Sequence, residues 1–276
     1  MLDMARRLGL GVVAHLARSE DPHTARRLRD PRIGWVLVPT EHLRAHAQGR
    51  IGIPRDRLSI VPPLVPTVPP RPRAGAAWRL GLLVPSEPGV PGVVTDILEA
   101  LADIRASGLA VEAVVHTGWL PPALLRRVVS LTEREGVALS TESLPEFLAG
   151  VDAVAVASRR EPPAVAILAA LAAGVPVVAP AHGGTPELIP DGSQGLLVVG
   201  QGREAWAGPL RQLQDHRLRQ DMGAQARDDC AERFRAADTV DALVALYRTA
   251  LGTPEGSSAK AEVSQTWRRL SEARSR

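Results

Sequence analysis

Apolar residues along this chain fall into short unbroken runs separated by longer amphipathic stretches. The runs Ala153–Ala157 and Val175–Val178 contain no polar position, the pattern of strands buried on both faces. Leu80–Val84, Val111–His116, Val137–Leu139 and Gly195–Val199 read the same way. Between them lie helical stretches: Val93–Ser107, Ala123–Glu135, Leu144–Ala149, and an Ala/Leu/Ile segment that opens at Glu161-Pro162 and stops at Gly174. Strand and helix alternate, which predicts a parallel sheet covered on both faces by right-handed crossovers. Three helices follow, at Arg203–Gln214, Arg217–Arg233 and Ala237–Leu251. The last places Val240, Leu243, Val244, Tyr247 and Leu251 on one face.

The first seventy residues are also α/β in character, with strands expected at Leu10–His15, Gly34–Val38 and Leu58–Val61. Thr40 is an N-cap for a helix running to about Gly49. Pro62 to Arg73 holds six prolines, which exclude helix and central strand and make the segment extended and stiff. The expected division is a short N-terminal lobe over 1–61, a linker over 62–73, a complete Rossmann-like domain over 74–252 and a mobile polar tail over 253–276.

Composition narrows the function. Of the 276 residues, 45% are hydrophobic, enough for a sizeable core, and only 3% are aromatic, so that core is aliphatic. The net charge of +3 is small, no block of five like charges appears, and Lys260 is the only lysine, which argues against nucleic-acid binding. Cys230 stands alone, so no disulfide forms within the chain. With no signal-peptide pattern or membrane-length apolar run, the expected location is cytoplasmic, with peripheral contact to anionic lipid left open by the Arg-rich surface.

The chemistry concentrates between Ser158 and Gly192. A helix that starts at the carboxyl end of a parallel strand offers free N–H groups and a positive dipole end, a ready seat for phosphate. Glu161, Pro163, Ala164 and Val165 stand at that start, Arg159 and Arg160 precede it, and Gly183-Gly184-Thr185 forms the next turn. Read alone, Glu161 is equally an acid favoured by the dipole, and Gly183-Gly184 an ordinary turn. His15 reads as a structural or surface histidine; His182, beside the Gly-Gly turn, and His116, after its strand, are each either structural or placed to line a ligand cleft; Asp228-Asp229 reads as a surface pair and Cys230 as a packing or surface thiol. No metal-ligand cluster, Walker loop or nucleophile elbow is present in the sequence.

From about Gly34 to Leu251 the chain resembles the group 1 glycosyltransferases, family 4-like retaining enzymes of the GT-B fold. Glu161-Pro162, Ala172-Ala-Gly-Val-Pro-Val-Val178, Gly183-Gly-Thr-Pro-Glu187, Asp191-Gly192 and Gly195-Leu-Leu197 carry the likeness. Met222-Gly223, Glu232-Arg-Phe234 and Leu246-Tyr-Arg248 match the family's closing helices.

The resemblance implies a GT-B-like α/β fold with one complete Rossmann-like domain and a truncated N-terminal lobe. It implies hexose transfer, with retention, from a nucleoside diphosphate sugar to a glycan, lipid or small-molecule acceptor. No metal or separate cofactor is implied. Glu161 would act catalytically by hydrogen-bonding the donor sugar. Backbone at Pro163, Ala164 and Val165 would hold the diphosphate. Gly183, Gly184 and Thr185 would let the chain pass close to the donor, and Arg160 would add positive charge.

The family's second Glu is replaced by Ala169, its basic pair by Leu82 and Pro88, and its phosphate-loop Gly by Ala164. These departures, with the short first lobe, keep open an alternative: an inactive relative serving as a binding or scaffold partner. A separate protein would then supply an acceptor domain.

Overall fold

The computed structural model describes residues 12–17, 22–65, 77–87, 89–189 and 192–250. The chain forms two compact units: Met1–Leu64 with Glu232–Arg276, and Val65–Ala231. Residues 66–76, which include most of the expected linker, lie outside the described residues, as do Pro88 and the tail from 251.

In the first unit, strands β1 (Val12–His15), β2 (Ile33–Val38) and β3 (Leu58–Ile60) pair in parallel in that order. Helix α1 (Pro22–Leu28) joins the first two, a helix the hydrophobic pattern did not predict. Helix α2 (Glu41–His46) begins as expected, with Thr40 Oγ1 accepting the Leu43 N–H at 3.3 Å. It continues as a π-helical turn, Ala47–Ile51, and ends at Gly52, where φ is +80°. Val36, Val38, Leu43, Ile51 and Ile53 form the core on one face of this sheet.

The second unit follows the predicted alternation. Its elements are β4 (Trp78–Leu83), α3 (Val90–Ala106), β5 (Val111–His116), α4 (Pro122–Arg134), β6 (Ala138–Ser140), α5 (Leu144–Ala149), β7 (Ala153–Val156), α6 (Ala164–Ala172), β8 (Val177–Pro180), α7 (Thr185–Leu188), β9 (Gly195–Val198), α8 (Arg203–Gln212) and α9 (His216–Arg233). All six strands are parallel, in the order β6-β5-β4-β7-β8-β9. This is the doubly wound arrangement, with the winding direction reversing between β4 and β7. Leu80, Leu82, Val94, Ile97, Leu101, Ala153 and Ala155 pack with Trp206 and Leu210 of α8 in one continuous core. On β4, Gly81 leaves room for the Phe147 ring, which a β-carbon there would meet at 2.8 Å.

The last helix, α10 (Ala236–Ala250), corrects the expected boundary. It belongs to the first unit, where Ala242 and Leu246 pack against Trp35, Leu37 and Val61. The expected inward face is also corrected: Val240, Val244 and Tyr247 are 44%, 41% and 47% exposed, whereas Thr239, Ala242 and Leu246 are buried. The face that packs on Trp35, Leu37 and Val61 is the one carrying Ala242 and Leu246, so the apolar count alone does not select it. Leu251 lies outside the described residues.

Close backbone approach joins α9 to the α6–β8 turn, where Gly174 has φ +69°. A β-carbon on Gly223 would overlap Gly174 O. Gly223→Ala should therefore lower the stability of the fold by about 1–3 kcal/mol, read as a lower denaturant midpoint. Gly92→Ala on α3, where a β-carbon meets nothing within 4 Å, should instead leave the midpoint unchanged or raise it slightly.

Candidate functional site

Ligands of doubly wound sheets bind outside the carboxyl ends of the strands, where the winding reverses. Here the relevant segments are 84–87 and Gly89, after β4, and 157–163, after β7. They are tied together. Ala157 N–H donates to Leu83 O at 2.9 Å, the Ser158 hydroxyl donates to Glu87 Oε1 at 3.0 Å, and the Arg159 N–H donates to the same oxygen. Glu87 is 9% exposed and Ser158 is fully enclosed, so this brace is shielded from water. Sequence reasoning missed Glu87; its signal was an acid beside Pro88, in the loop where the family resemblance expects positive charge.

Helix α6 starts from this edge. Every residue from Ala164 to Leu171 is buried except Val165, which is 40% exposed. The Ala166 and Ile167 N–H groups donate to Pro163 O at 2.9 and 3.3 Å. Ala164 and Val165 contribute the remaining first-turn amides, which have no intrahelical acceptor. Proline as N-cap leaves no side-chain acceptor for them.

Glu161 is 4% exposed, and its Oε1 accepts the Gly184 N–H at 2.8 Å. Gly183 adopts φ +62°, and a β-carbon there would overlap the Glu161 carboxylate. The acid at the start of α6 and the Gly-Gly turn after β8 are thus one hydrogen-bonded unit. Thr185, 1% exposed, opens the short α7 beside them, with its hydroxyl buried and unpartnered. Arg160 is exposed and enters none of these contacts among the described residues, while Arg159 lies against Gly89 and donates to Gln201 Oε1 at 3.1 Å. Leu82, in the position of a family cation, is fully buried in β4, and Ala169 is buried within α6.

At the next strand end, His116 is 3% exposed and its Nε2 lies 3.0 Å from Glu142 O. A carbonyl only accepts, so Nε2 carries the hydrogen and Nδ1 is the bare nitrogen of a neutral ring. Burial holds the His116 pKa below the usual imidazole range, against a weaker upward pull from Glu142. Trp119 and Phe147 meet this ring edge-on, with centroids 4.6 and 5.0 Å away. His182 borders the Gly-Gly turn, as expected, and Cys230 is buried with its thiol 3.8 Å from Leu168 O.

The His116 environment has a consequence for pH. Unfolding returns the ring to a pKa of about 6.5, so below that pH the unfolded chain binds a proton that the folded chain does not. Stability should be fullest above this window and decline as pH falls through it. His116→Gln should show a smaller drop in denaturant midpoint than the natural chain between about pH 7.5 and 5.5.

Comparison with known proteins bears on this geometry. A family model described as "Glycosyl transferases group 1" matches residues 89–216, from the start of α3 to the start of α9. The D-inositol 3-phosphate glycosyltransferase of Nocardia farcinica is 34% identical over 231 residues, covering 75% of this chain and 51% of that protein. The D-inositol 3-phosphate glycosyltransferase of Saccharomonospora viridis is 26% identical over 291 residues, covering 87% of this chain and 66% of that protein. The chain spans about half the length of the first of these relatives. Among solved structures, Anabaena HepE in complex with UDP and glucose superposes with a TM-score of 0.74 at 16% identity, over 88% of this chain and 73% of that one. A glycosyltransferase from Rickettsia africae gives a TM-score of 0.65 at 14% identity, over 91% of this chain and 79% of that one. At such identities these structures bear on the fold alone. Among the described residues, no helix is long and apolar enough to cross a membrane.

Proposed function

Because this chain belongs to the group 1 glycosyltransferase family and has its GT-B-type α/β fold, we propose that it transfers a hexose from a nucleoside diphosphate sugar to an acceptor hydroxyl, with retention. The observation that carries this reading is the union of Glu161, the Gly183-Gly184 turn and the open start of α6 at the winding reversal. In the proposed reaction the bond from the anomeric carbon to the diphosphate oxygen breaks. The acceptor oxygen bonds to that carbon on the same face, and its proton passes to the departing diphosphate. The amides of Ala164 and Val165, with the helix dipole behind them, stabilise the charge that develops on the leaving group. Glu161 is assigned to the donor sugar, and the bond from Gly184 fixes the rotamer of its carboxylate. Arg160, exposed at the rim, adds favourable potential for an anionic donor. The acceptor class is a glycan, lipid or small molecule.

A second reading has its own support. Leu82 and Ala169 supply neither cation nor ribose-gripping acid, and Arg159 is engaged with Gln201. A relative that keeps the fold but has lost donor affinity would serve as a binding or scaffold partner.

Calorimetric titration with UDP, GDP and their hexose conjugates separates the two. Under the transferase reading, binding appears at or below millimolar concentration; no binding of any of these removes it. Glu161→Gln should weaken the nucleotide sugar about tenfold or more while changing bare UDP or GDP little, since only the sugar meets that carboxylate. Equal loss for both would assign Glu161 to holding the turn alone.

A further inference from the structure

We infer that Trp119 is the face on which the donor's nucleobase stacks. This rests on the nucleotide-sugar reading above and adds to it the part of the donor furthest from the sugar.

Trp119 is 38% exposed, in a chain whose aromatic content is only 3%. Among the described residues of the second unit, no other aromatic side chain is exposed. This indole is held in a defined pose. Its Nε1–H donates to Val84 O at 3.0 Å, at the carboxyl end of β4. One edge of the indole lies against buried His116, at the end of β5. The loop beneath is pinned as well: Thr117 N–H and Oγ1 both reach Ser140 O, at 2.9 and 3.0 Å, and Leu120 N–H reaches Thr117 O at 3.0 Å. The ring therefore has little rotamer freedom left to lose on contact with a ligand, which is the condition for an effective aromatic anchor.

Its position also suits a base. Along the carboxyl edge of the sheet the strands run β5, β4, β7, β8. Trp119 bridges the ends of β5 and β4, the amides of α6 open after β7, and Glu161 with Gly184 joins the ends of β7 and β8. The strand ends that carry the indole and lead into α6 are one to two inter-strand spacings apart, about 5–10 Å. A ribose bridges a base and a diphosphate over such a gap. The order along the edge becomes base, ribose, diphosphate, hexose, with a site feature for every part except the ribose, where Ala169 replaces the family's acid. Stacking on an indole compensates for part of that loss, because it needs no ribose hydroxyl.

Neutral His116 fits the assignment. Its Nδ1 is buried and unpartnered, and its ring supports the indole without carrying a charge into the base site.

The test measures affinity for UDP, uridine and inorganic pyrophosphate in the full chain, with Trp119→Ala and the conservative Trp119→Phe. Trp119→Ala should weaken UDP and uridine by about tenfold or more, Trp119→Phe by much less, and neither should alter pyrophosphate binding. UDP should also quench the emission of the natural chain and quench Trp119→Phe far less. Unchanged UDP affinity in Trp119→Ala, with the natural chain binding UDP, overturns this inference and leaves the donor reading standing. A parallel loss of pyrophosphate binding assigns the indole to loop structure and also overturns it. Failure of every form to bind UDP, GDP or their sugars removes both readings together.

Discussion

The reversal of winding between β4 and β7 is the constraint on which the rest of the second unit depends. At every other strand pair, successive connections cover the neighbouring strand end. Where the direction changes, adjacent loops diverge and expose the sheet's edge. The central strands β4, β7 and β8 bury nearly all of their residues and so hold this edge rigidly, while the edge strand β6 is largely exposed. Glu87, Ser158 and the Arg159 amide brace the divergent loops at their base, so the opening has a firm floor. The start of α6, the Glu161–Gly184 bond and the Trp119 indole all stand on that frame.

Glu161 illustrates how one group serves structure and chemistry together. A buried carboxylate needs donors, and the Gly184 amide supplies one. That bond in turn needs a residue without a side chain at Gly183, because any β-carbon there collides with the acid. Gly183 is thus required by the acid it faces, whereas Gly184 contributes only its amide.

Legibility from the sequence varied with the range of the interaction. Unbroken apolar runs such as Ala153–Ala157, short and bounded by polar or Gly/Pro positions, disclosed the strands of the second unit, although β6 proved largely exposed. The Thr40 cap was legible because it acts over three residues. Glu161 and Gly183-Gly184 were each identified, but not as partners, since the bond spans 23 positions. Glu87 escaped notice because its partner Ser158 lies 71 positions away. Trp119 escaped because a lone aromatic in a loop has no periodicity to mark it. For α10, the stripe Val240, Val244 and Tyr247 announced a helix with an apolar side, but the buried side is the one carrying Ala242 and Leu246. A helical pattern also carries no information on which sheet receives it.

The return of α10 to the first unit makes that lobe discontinuous in the chain. As the ribosome delivers the polypeptide, β1, β2 and β3 emerge early, with Trp35, Leu37 and Val61 lacking the residues that will shield them. The entire second unit must be synthesised before Ala242 and Leu246 arrive. During that interval the nascent lobe carries an open greasy flank, and it is the interval in which a holding chaperone would be of most use to this protein.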